Sequence, residues 1–289
     1  ADTRETPPGL EAFQQAHPAV HVHCGALTLL DMRDAYEVVV SPGVDPYTAG
    51  LEGLLERHNP TTGEPMLVGE IALFKRAVKA PIAAITGSNA KSTVTTLLGE
   101  MAAASGIKAA VGGNLGTPAL DLLAEQPDAE LFILELSSFQ LETTPWLGAA
   151  SVAFLNLCDD HLDRHGDLAG YRQAKQRIFL GADHAVVNAD DDQTWPESML
   201  NHVEYFSSEP PIGQSWGLDE RQGRWWLMHG QTPWLAADEL QLAGRHHYAN
   251  ALAALAMGNA LGFGRADMCR ALRAFAGLPH RSEWIADIN

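Results

Sequence analysis

Cysteine is scarce: Cys24, Cys158 and Cys269 are the chain's full complement. Three thiols cannot all pair with one another, and none stands in a CxxC or Cys/His metal spacing. A disulfide scaffold and a zinc module are therefore excluded, and buried or idle thiols are expected. Positive charge is also in short supply, with 19 Lys and Arg against 36 Asp and Glu and a formal net charge of -17. Such a balance excludes a nucleic-acid scaffold, so any phosphate recognition must be local, through backbone amides, a few basic side chains and a divalent cation. Long apolar runs are missing too. Stretches such as 249–257 and 131–134 fall far short of a bilayer-spanning helix, and no basic-then-apolar leader opens the sequence. The expectation is a cytoplasmic chain without membrane insertion.

What is present suffices for a sizeable core, since 46% of the 289 residues are hydrophobic, and two domains are expected rather than one. The texture changes near residue 80, giving a first domain over 1–79 and a second over 80–289. The first holds a strand over 37–40 running into Ser41-Pro42-Gly43-Val44, a short apolar piece at 66–68, and a helix over 70–78. From Pro81 onward a regular alternation begins. Strands are predicted at 82–86, 109–111, 131–136, 151–157 and 185–188, with helices at 91–105, 118–124 and 169–180 between them. Continuous apolar strands separated by helices imply a parallel sheet covered on both faces, with ligands beyond the carboxyl ends of its strands. Residues 203–235 read as an antiparallel flank, and the alanine-rich stretches 248–261 and 265–275 as closing helices.

The strand at 82–86 runs straight into Gly87-Ser88-Asn89-Ala90-Lys91-Ser92-Thr93 and then a helix. A strand, a Gly-bearing loop and Lys-Ser/Thr at a helix start form what a nucleotide-phosphate cradle needs: backbone N–H groups to face the phosphates, a lysine to neutralise them, a hydroxyl to reach magnesium. A Gly/Ser turn that merely caps a helix is the plain alternative. Ala90 stands where phosphate loops nearly always carry glycine. A Cβ there obstructs positive φ or close phosphate approach, so weakened nucleotide affinity is expected.

Gly87 to Thr93 resembles the ATP loop of the Mur ligases and folylpolyglutamate synthetases, Ala90 excepted. Further segments follow in the same order: Gly113-Asn114, Leu134-Glu135-Leu136-Ser137-Ser138-Phe139-Gln140-Leu141, Asn156, Asp160-His161-Leu162-Asp163, Tyr171 to Lys175, Asn188-Ala189-Asp190 and Gly277-Leu278-Pro279-His280-Arg281. Asp2-Thr3-Arg4, Pro7-Pro8-Gly9, Ser41-Pro42-Gly43 and the Glu135 to Glu142 run resemble the D-glutamate-adding branch of the Mur ligases. The resemblance implies an α/β fold, in which a partial Rossmann-like domain binding a UDP-substrate precedes a P-loop-type ATP-binding domain with a mainly parallel sheet. It also implies that the family's first strand and turn precede Ala1 and that an amino-acid-binding domain follows Asn289, so the 289 residues alone are expected to bind substrate without full turnover.

The implied reaction is ATP-dependent addition of D-glutamate to UDP-N-acetylmuramoyl-L-alanine through an acyl phosphate, a step in peptidoglycan precursor synthesis, with Mg2+ as cofactor and a monomeric enzyme. By resemblance Gly87, Ser88, Asn89, Ala90, Lys91, Ser92 and Thr93 hold the ATP phosphates, and Asn250 and Arg281 contact its adenine and phosphate. Ser92 and Glu135 hold one magnesium, His161 helps hold a second, and Lys175 is carbamylated and helps position the metal. Asn114, Ser137 and Gln140 meet the muramoyl-alanine part; Thr3, Arg4, Ser41 and Gly43 meet the nucleotide diphosphate. His247 departs from the pattern, which has Asn after the helix-opening His246.

Read without the resemblance, several of these residues have plain alternatives. Glu135 ends an apolar strand, where an unpaired carboxylate is costly, so a cation or hydrogen-bond partner is expected; a strand-end surface carboxylate is the other reading. His161 stands among Asp159, Asp160 and Asp163, which suits a metal as well as a solvated acidic turn. Lys175 reads as a surface lysine, and Arg4 as a solvated charge. Two functional alternatives remain: another ligase of the superfamily, adding L-alanine, a diamino acid or glutamate to a folate, and a non-catalytic UDP-sugar-binding module.

Overall fold

A computed structural model describes residues 1–32 and 34–278. The chain forms two compact units, Ala1–Glu70 and Ile71–Asn289. In the first, α1 (Leu10–Ala16) precedes a parallel pair of strands, β1 (Val38–Val40) and β2 (Leu67–Gly69), in the register Val38↔Leu67, Val39↔Val68, Val40↔Gly69. Leu27, Val40, Leu51, Leu54 and Leu67 make its small core.

The helix α2 (Glu70–Ala77) follows. Its Ile71 and Phe74 are buried among the strands of the second unit, and Phe74 meets Phe132 edge-on with ring centroids 5.2 Å apart. That packing is why the contact boundary falls ahead of the change in composition near residue 80.

The second unit alternates β3 (Ile82–Thr86), α3 (Lys91–Ala104), β4 (Ala109–Gly113), α4 (Ala119–Glu125), β5 (Leu131–Glu135), α5 (Ser138–Glu142), β6 (Ser151–Phe154), α6 (Leu162–His165), α7 (Leu168–Gln176) and β7 (His184–Asn188). It continues with β8 (His202–Phe206), β9 (Trp216–Arg221), β10 (Arg224–His229) and β11 (Thr232–Ala236), and ends among the described residues with α8 (Arg245–Ala260) and α9 (Arg265–Ala274). All these strands join one sheet in the order β11-β10-β9-β8-β7-β6-β3-β5-β4.

The continuous apolar runs are explained by burial on both faces. Along β3, Ala83 and Ile85 face a core shared with α3, α8 and α9, while Ile82 and Ala84 face a second core with Ile71, Phe74, Ala119, Leu122, Leu141 and Ile178. β5 alternates likewise, with Leu131 and Ile133 on one side and Phe132 and Leu134 on the other. A strand covered on both faces has no polar side to show.

One expectation is corrected. The stretch 203–235 was expected to be antiparallel throughout, but β8 runs parallel to β7, from His184↔His202 to Asn188↔Phe206. Antiparallel pairing joins only β9, β10 and β11. The reason is packing: Val203 and Tyr205, partly buried, lie against one core and Phe206 is buried in the other, so β8 has apolar contacts on both faces, though it is less covered than β3, β5 and β6.

The parallel arrangement sends the carboxyl ends of β3, β4, β5 and β6 to one edge of the sheet. Gly87, Asn114, Glu135 and Asn156 sit at or just beyond those ends. No described helix is long and apolar enough to cross a membrane.

Candidate functional site

The loop after β3 turns tightly enough to bring Lys91 Nζ back onto its own carbonyls, donating to Gly87 O at 2.9 Å and Ser88 O at 3.0 Å. α3 then starts from Ala90, whose φ of 65° and ψ of -2° are left-handed. The expectation that a Cβ obstructs positive φ here is not met, because Ala90 adopts that conformation while packing against the core beneath α3. For a non-glycine residue the left-handed turn costs about 1–2 kcal/mol, so surrounding contacts must hold it.

Those contacts come from the segment after β6. Asn156 O accepts from Ser88 N–H at 3.0 Å. Its side-chain Oδ1 accepts from Asn89 N–H at 2.8 Å, and its Nδ2 donates to Asn89 O at 3.2 Å. Cys158 N–H donates to Ser88 Oγ at 3.0 Å, and the Ser88 hydroxyl lies 3.1 Å from Cys158 O. Cys158 Sγ accepts from Asn89 Nδ2 at 3.3 Å. Cys158 is exposed and is part of this loop's support, which corrects the reading of all three thiols as buried or idle.

Beneath the loop lies Lys175, only 1% exposed and not the surface lysine that the residues alone suggest. It comes from α7, whose first turn is fixed by the Asp167 carboxylate accepting from Gly170 N–H at 2.8 Å. Lys175 Nζ donates to Gly87 O at 2.9 Å and to Thr86 Oγ1 at 3.3 Å, and stands 4.6 Å from the centre of the Tyr171 ring. Burial, reinforced by the charge of Lys91, brings its ammonium down to a pKa of about 7. Loss of a proton at neutral pH is thus accessible to this amine and not to an exposed lysine.

Glu135 closes β5 with 3% exposure. Asn114 Nδ2 donates to its Oε1 at 2.8 Å, an approach made possible by Gly113, where a Cβ would fall 2.5 Å from Glu135 O. The other carboxylate oxygen, Oε2, is buried without a hydrogen-bond partner. An orphaned buried carboxylate oxygen is costly to maintain. With the hydroxyl of Ser92, itself 8% exposed, it suits a hard divalent cation.

An open cleft of ≈ 1250 Å³ gathers Ser88, Asn89, Ala90, Lys91, Ser92, Thr93, Asn114, Glu135, Asn156, His246, His247 and Asn250. Thr93, His247 and Asn250 also line a narrower slot, walled by Leu97, Leu240, Leu242, Leu272 and Phe275. His247 is held below the usual imidazole pKa by burial and by His246. Of the predicted phosphate-loop residues, Ser88 to Thr93 therefore meet Glu135, Asn114 and Asn250 around one cavity, and Gly87 is not part of its lining.

Other candidates lie elsewhere. His161 caps α6 with a left-handed φ of 52°, is paired with Asp160 at 3.5 Å, and has its ring 4.9 Å from that of Phe139. Among the described residues no group of three or more His, Cys, Asp and Glu could by itself hold a metal ion. Ser137 and Gln140 form a capping box at the start of α5: Gln140 N–H donates to Ser137 Oγ at 3.2 Å, and Ser137 N–H to Gln140 Oε1 at 3.0 Å. In the first unit, Thr3, Arg4, Ser41 and Gly43 line a cleft of ≈ 1310 Å³ together with Asp31 and Glu37. Arg4 is engaged there by Asp2, with Nε 2.9 Å from Oδ1. Arg281 lies outside the described residues.

Sequence reasoning missed Asn156, Cys158 and His246 as parts of the site. Asn156 was legible as a polar residue closing an apolar strand, but its partner is 67 positions away. His246 had a signal in its place at the start of an alanine-rich helix.

The family model for the Mur ligase middle domain matches residues 85–258, and that for the Mur ligase MurD-like N-terminal domain matches residues 1–63. The UDP-N-acetylmuramoylalanine--D-glutamate ligase of Chromohalobacter salexigens is 62% identical over 287 residues, covering 99% of this chain and 62% of that protein. Its counterpart in Nitrosococcus oceani is 47% identical over 291 residues, covering 100% of this chain and 62% of that protein. The chain thus spans about three fifths of the length of these curated relatives. Among solved structures, a UDP-N-acetylmuramate:L-alanyl-gamma-D-glutamyl-meso-diaminopimelate ligase from Neisseria shares the fold, with a TM-score of 0.61 at 18% identity over 96% of this chain and 90% of that one.

Proposed function

The chain belongs to the Mur ligase family, and from that premise we propose that it is the substrate- and nucleotide-binding part of an ATP-dependent ligase that joins D-glutamate to UDP-N-acetylmuramoyl-L-alanine. The observation that carries this reading is the buried, unpartnered Glu135 Oε2 beside the Ser88–Thr93 loop. A strand-end carboxylate oxygen left without a donor, next to a lysine-bearing helix start, fits a magnesium nucleotide.

In this reading Lys91 and the first turn of α3 receive the ATP phosphates, Ser92 and Glu135 hold Mg2+, and His161 assists with a second ion. The metal supplies charge neutralisation between two anions, the triphosphate and the substrate carboxylate. Asn114 keeps Glu135 oriented through the 2.8 Å bond. Thr93, His247 and Asn250 line the way into the slot, which would receive the base, with Arg281 contributing to the nucleotide. Asn114, Ser137 and Gln140 are assigned to the muramoyl-alanine part and Thr3, Arg4, Ser41 and Gly43 to the diphosphate. The carboxylate of the substrate attacks the terminal phosphorus of ATP and ADP leaves; the amine of D-glutamate then attacks the acyl phosphate and phosphate leaves.

Lys175 completes the reading. An amine with a pKa of about 7 is unprotonated often enough to attack carbon dioxide. The nitrogen–carbon bond forms, a proton is released, and a cation becomes an anionic carbamate facing the loop. The same reading makes the protein a cytoplasmic monomer acting in peptidoglycan precursor synthesis.

Calorimetric titration with UDP-N-acetylmuramoyl-L-alanine and, separately, with Mg-ATP tests the assignment. Saturable binding of both supports it. A folded chain that binds neither overturns it, and sugar-nucleotide binding without any nucleotide binding points to a non-catalytic module.

A further inference from the structure

We propose that Asn156 is a positioning residue for the nucleotide phosphates: its side-chain amide bridges both backbone polar groups of Asn89 and so holds the phosphate loop in the turn that lets alanine serve at position 90. The inference rests on the reading of the cleft as a nucleotide site. A side-chain amide has the donor and acceptor of a peptide group, and Asn156 uses both on one residue. Its Oδ1 takes the Asn89 N–H at 2.8 Å and its Nδ2 gives to Asn89 O at 3.2 Å. The Asn156 backbone carbonyl holds Ser88 N–H at 3.0 Å, so Asn156 grips the backbone of both residues 88 and 89, while Cys158 holds their side chains.

Ala90 is thereby pinned at both ends. The peptide before it belongs to Asn89, and its own carbonyl accepts from Val94 N–H at 3.0 Å, the bond that begins the α3 ladder. Between these anchors the backbone turns left-handed at φ 65°, a conformation alanine avoids when free to choose. With the amide removed, Ala90 is free to relax to negative φ, and the first turn of α3, which carries Lys91, Ser92 and Thr93, is re-aimed away from the cleft. Glycine at position 90 would need no such clamp, because it enters the left-handed region without penalty.

The clamp and the alanine are therefore coupled, which a double-mutant cycle reads directly. In the full chain, Asn156→Ala should weaken Mg-ADP binding by ten- to a hundredfold in calorimetry. Ala90→Gly should recover at least fivefold in the Asn156→Ala background, a factor at least threefold larger than its effect on the wild-type chain. A purely structural role for Asn156 would give no such selective recovery. Asn156→Ala affinity within threefold of wild type, or an Ala90→Gly factor equal in both backgrounds, overturns the proposal. A wild-type chain that binds no Mg-ADP sinks the nucleotide reading and takes this proposal with it. Should Asn156→Ala not fold, amide hydrogen exchange of the unaltered chain decides: slow exchange at Asn89 N–H supports the clamp, and exchange at the rate of an open loop overturns it.

Discussion

Lys175 Nζ donates to the carbonyl of Gly87 at 2.9 Å from a position that is 1% exposed. The β3 loop is thus supported from below by an amine that burial makes easy to deprotonate, and from the side by the Asn156 amide. These two supports come from α7 and from the segment after β6, so the shape of the phosphate loop depends on residues far from it in sequence.

The Lys175 amine should leave a signature in the pH dependence of stability. Its pKa falls from 10.5 in the unfolded chain to about 7 in the folded one. Below about pH 7 both states hold the proton and the group contributes no slope. Between about 7 and 10.5 the unfolded state holds more protons, so unfolding free energy rises with pH, by at most about 1.4 kcal/mol per unit from this group. Urea unfolding at a series of pH values should show this rise in wild type and a flatter profile in Lys175→Met; identical profiles would count against a buried titrating amine.

Glu135→Gln removes a buried charge whose Oε2 has no hydrogen-bond partner. In metal-free buffer the variant should be as stable as wild type or more so, by up to about 1–2 kcal/mol, because an amide is cheaper to bury than a carboxylate. Added Mg2+ should raise the melting temperature of wild type and leave the variant unmoved. A metal response of equal size in both would place the ion elsewhere.

At Ala90 the two simplest substitutions should separate. Ala90→Gly relieves the left-handed strain, worth about 1–2 kcal/mol, but gives back about 0.5–1 kcal/mol in chain entropy, so its midpoint in urea should move little or slightly upward. Ala90→Val places a β-branched side chain at φ 65° and should lose about 2 kcal/mol or more. Equal stability of the two variants would mean that the turn is not left-handed in solution.

How much of this could be read from the sequence follows from where each contact lies along the chain. The strand at Ile82–Thr86 and the Lys91-Ser92-Thr93 helix start are adjacent in sequence, and the apolar run of β3 carries its own evidence of burial on both faces. The direction of β8 is not written in five residues; it depends on pairing with β7, from His184↔His202 onward. Lys175 illustrates the same limit, because the helical pattern of α7 does not say that Gly87, 88 positions earlier, closes over its amine. Ser137 and Gln140 were visible as candidates, and their S-x-x-Q spacing is also that of the capping box they form.

The ion pair between Arg164 and Glu142 joins α6 to α5 at 2.6 Å, with side-chain exposures of only 9% and 13%. α6 is the four-residue helix capped by His161, and α5 is the helix whose first turn holds Ser137 and Gln140. The pair therefore ties the segment proposed to meet the metal to the segment proposed to meet the muramoyl-alanine. A buried pair need not add net stability, but removing one side chain takes a close opposite charge from the other in a poorly hydrated place, at a cost of up to about 3–5 kcal/mol. Glu142→Ala should therefore be strongly destabilising in urea. The apolar double replacement Arg164→Met with Glu142→Leu should recover most of the loss. If the pair also sets the relation between the two segments, the double variant should still bind UDP-N-acetylmuramoyl-L-alanine more weakly than wild type despite its restored stability. Recovery of both stability and affinity would reduce the pair to packing, and an unaffected Glu142→Ala would show that the pair is open to solvent.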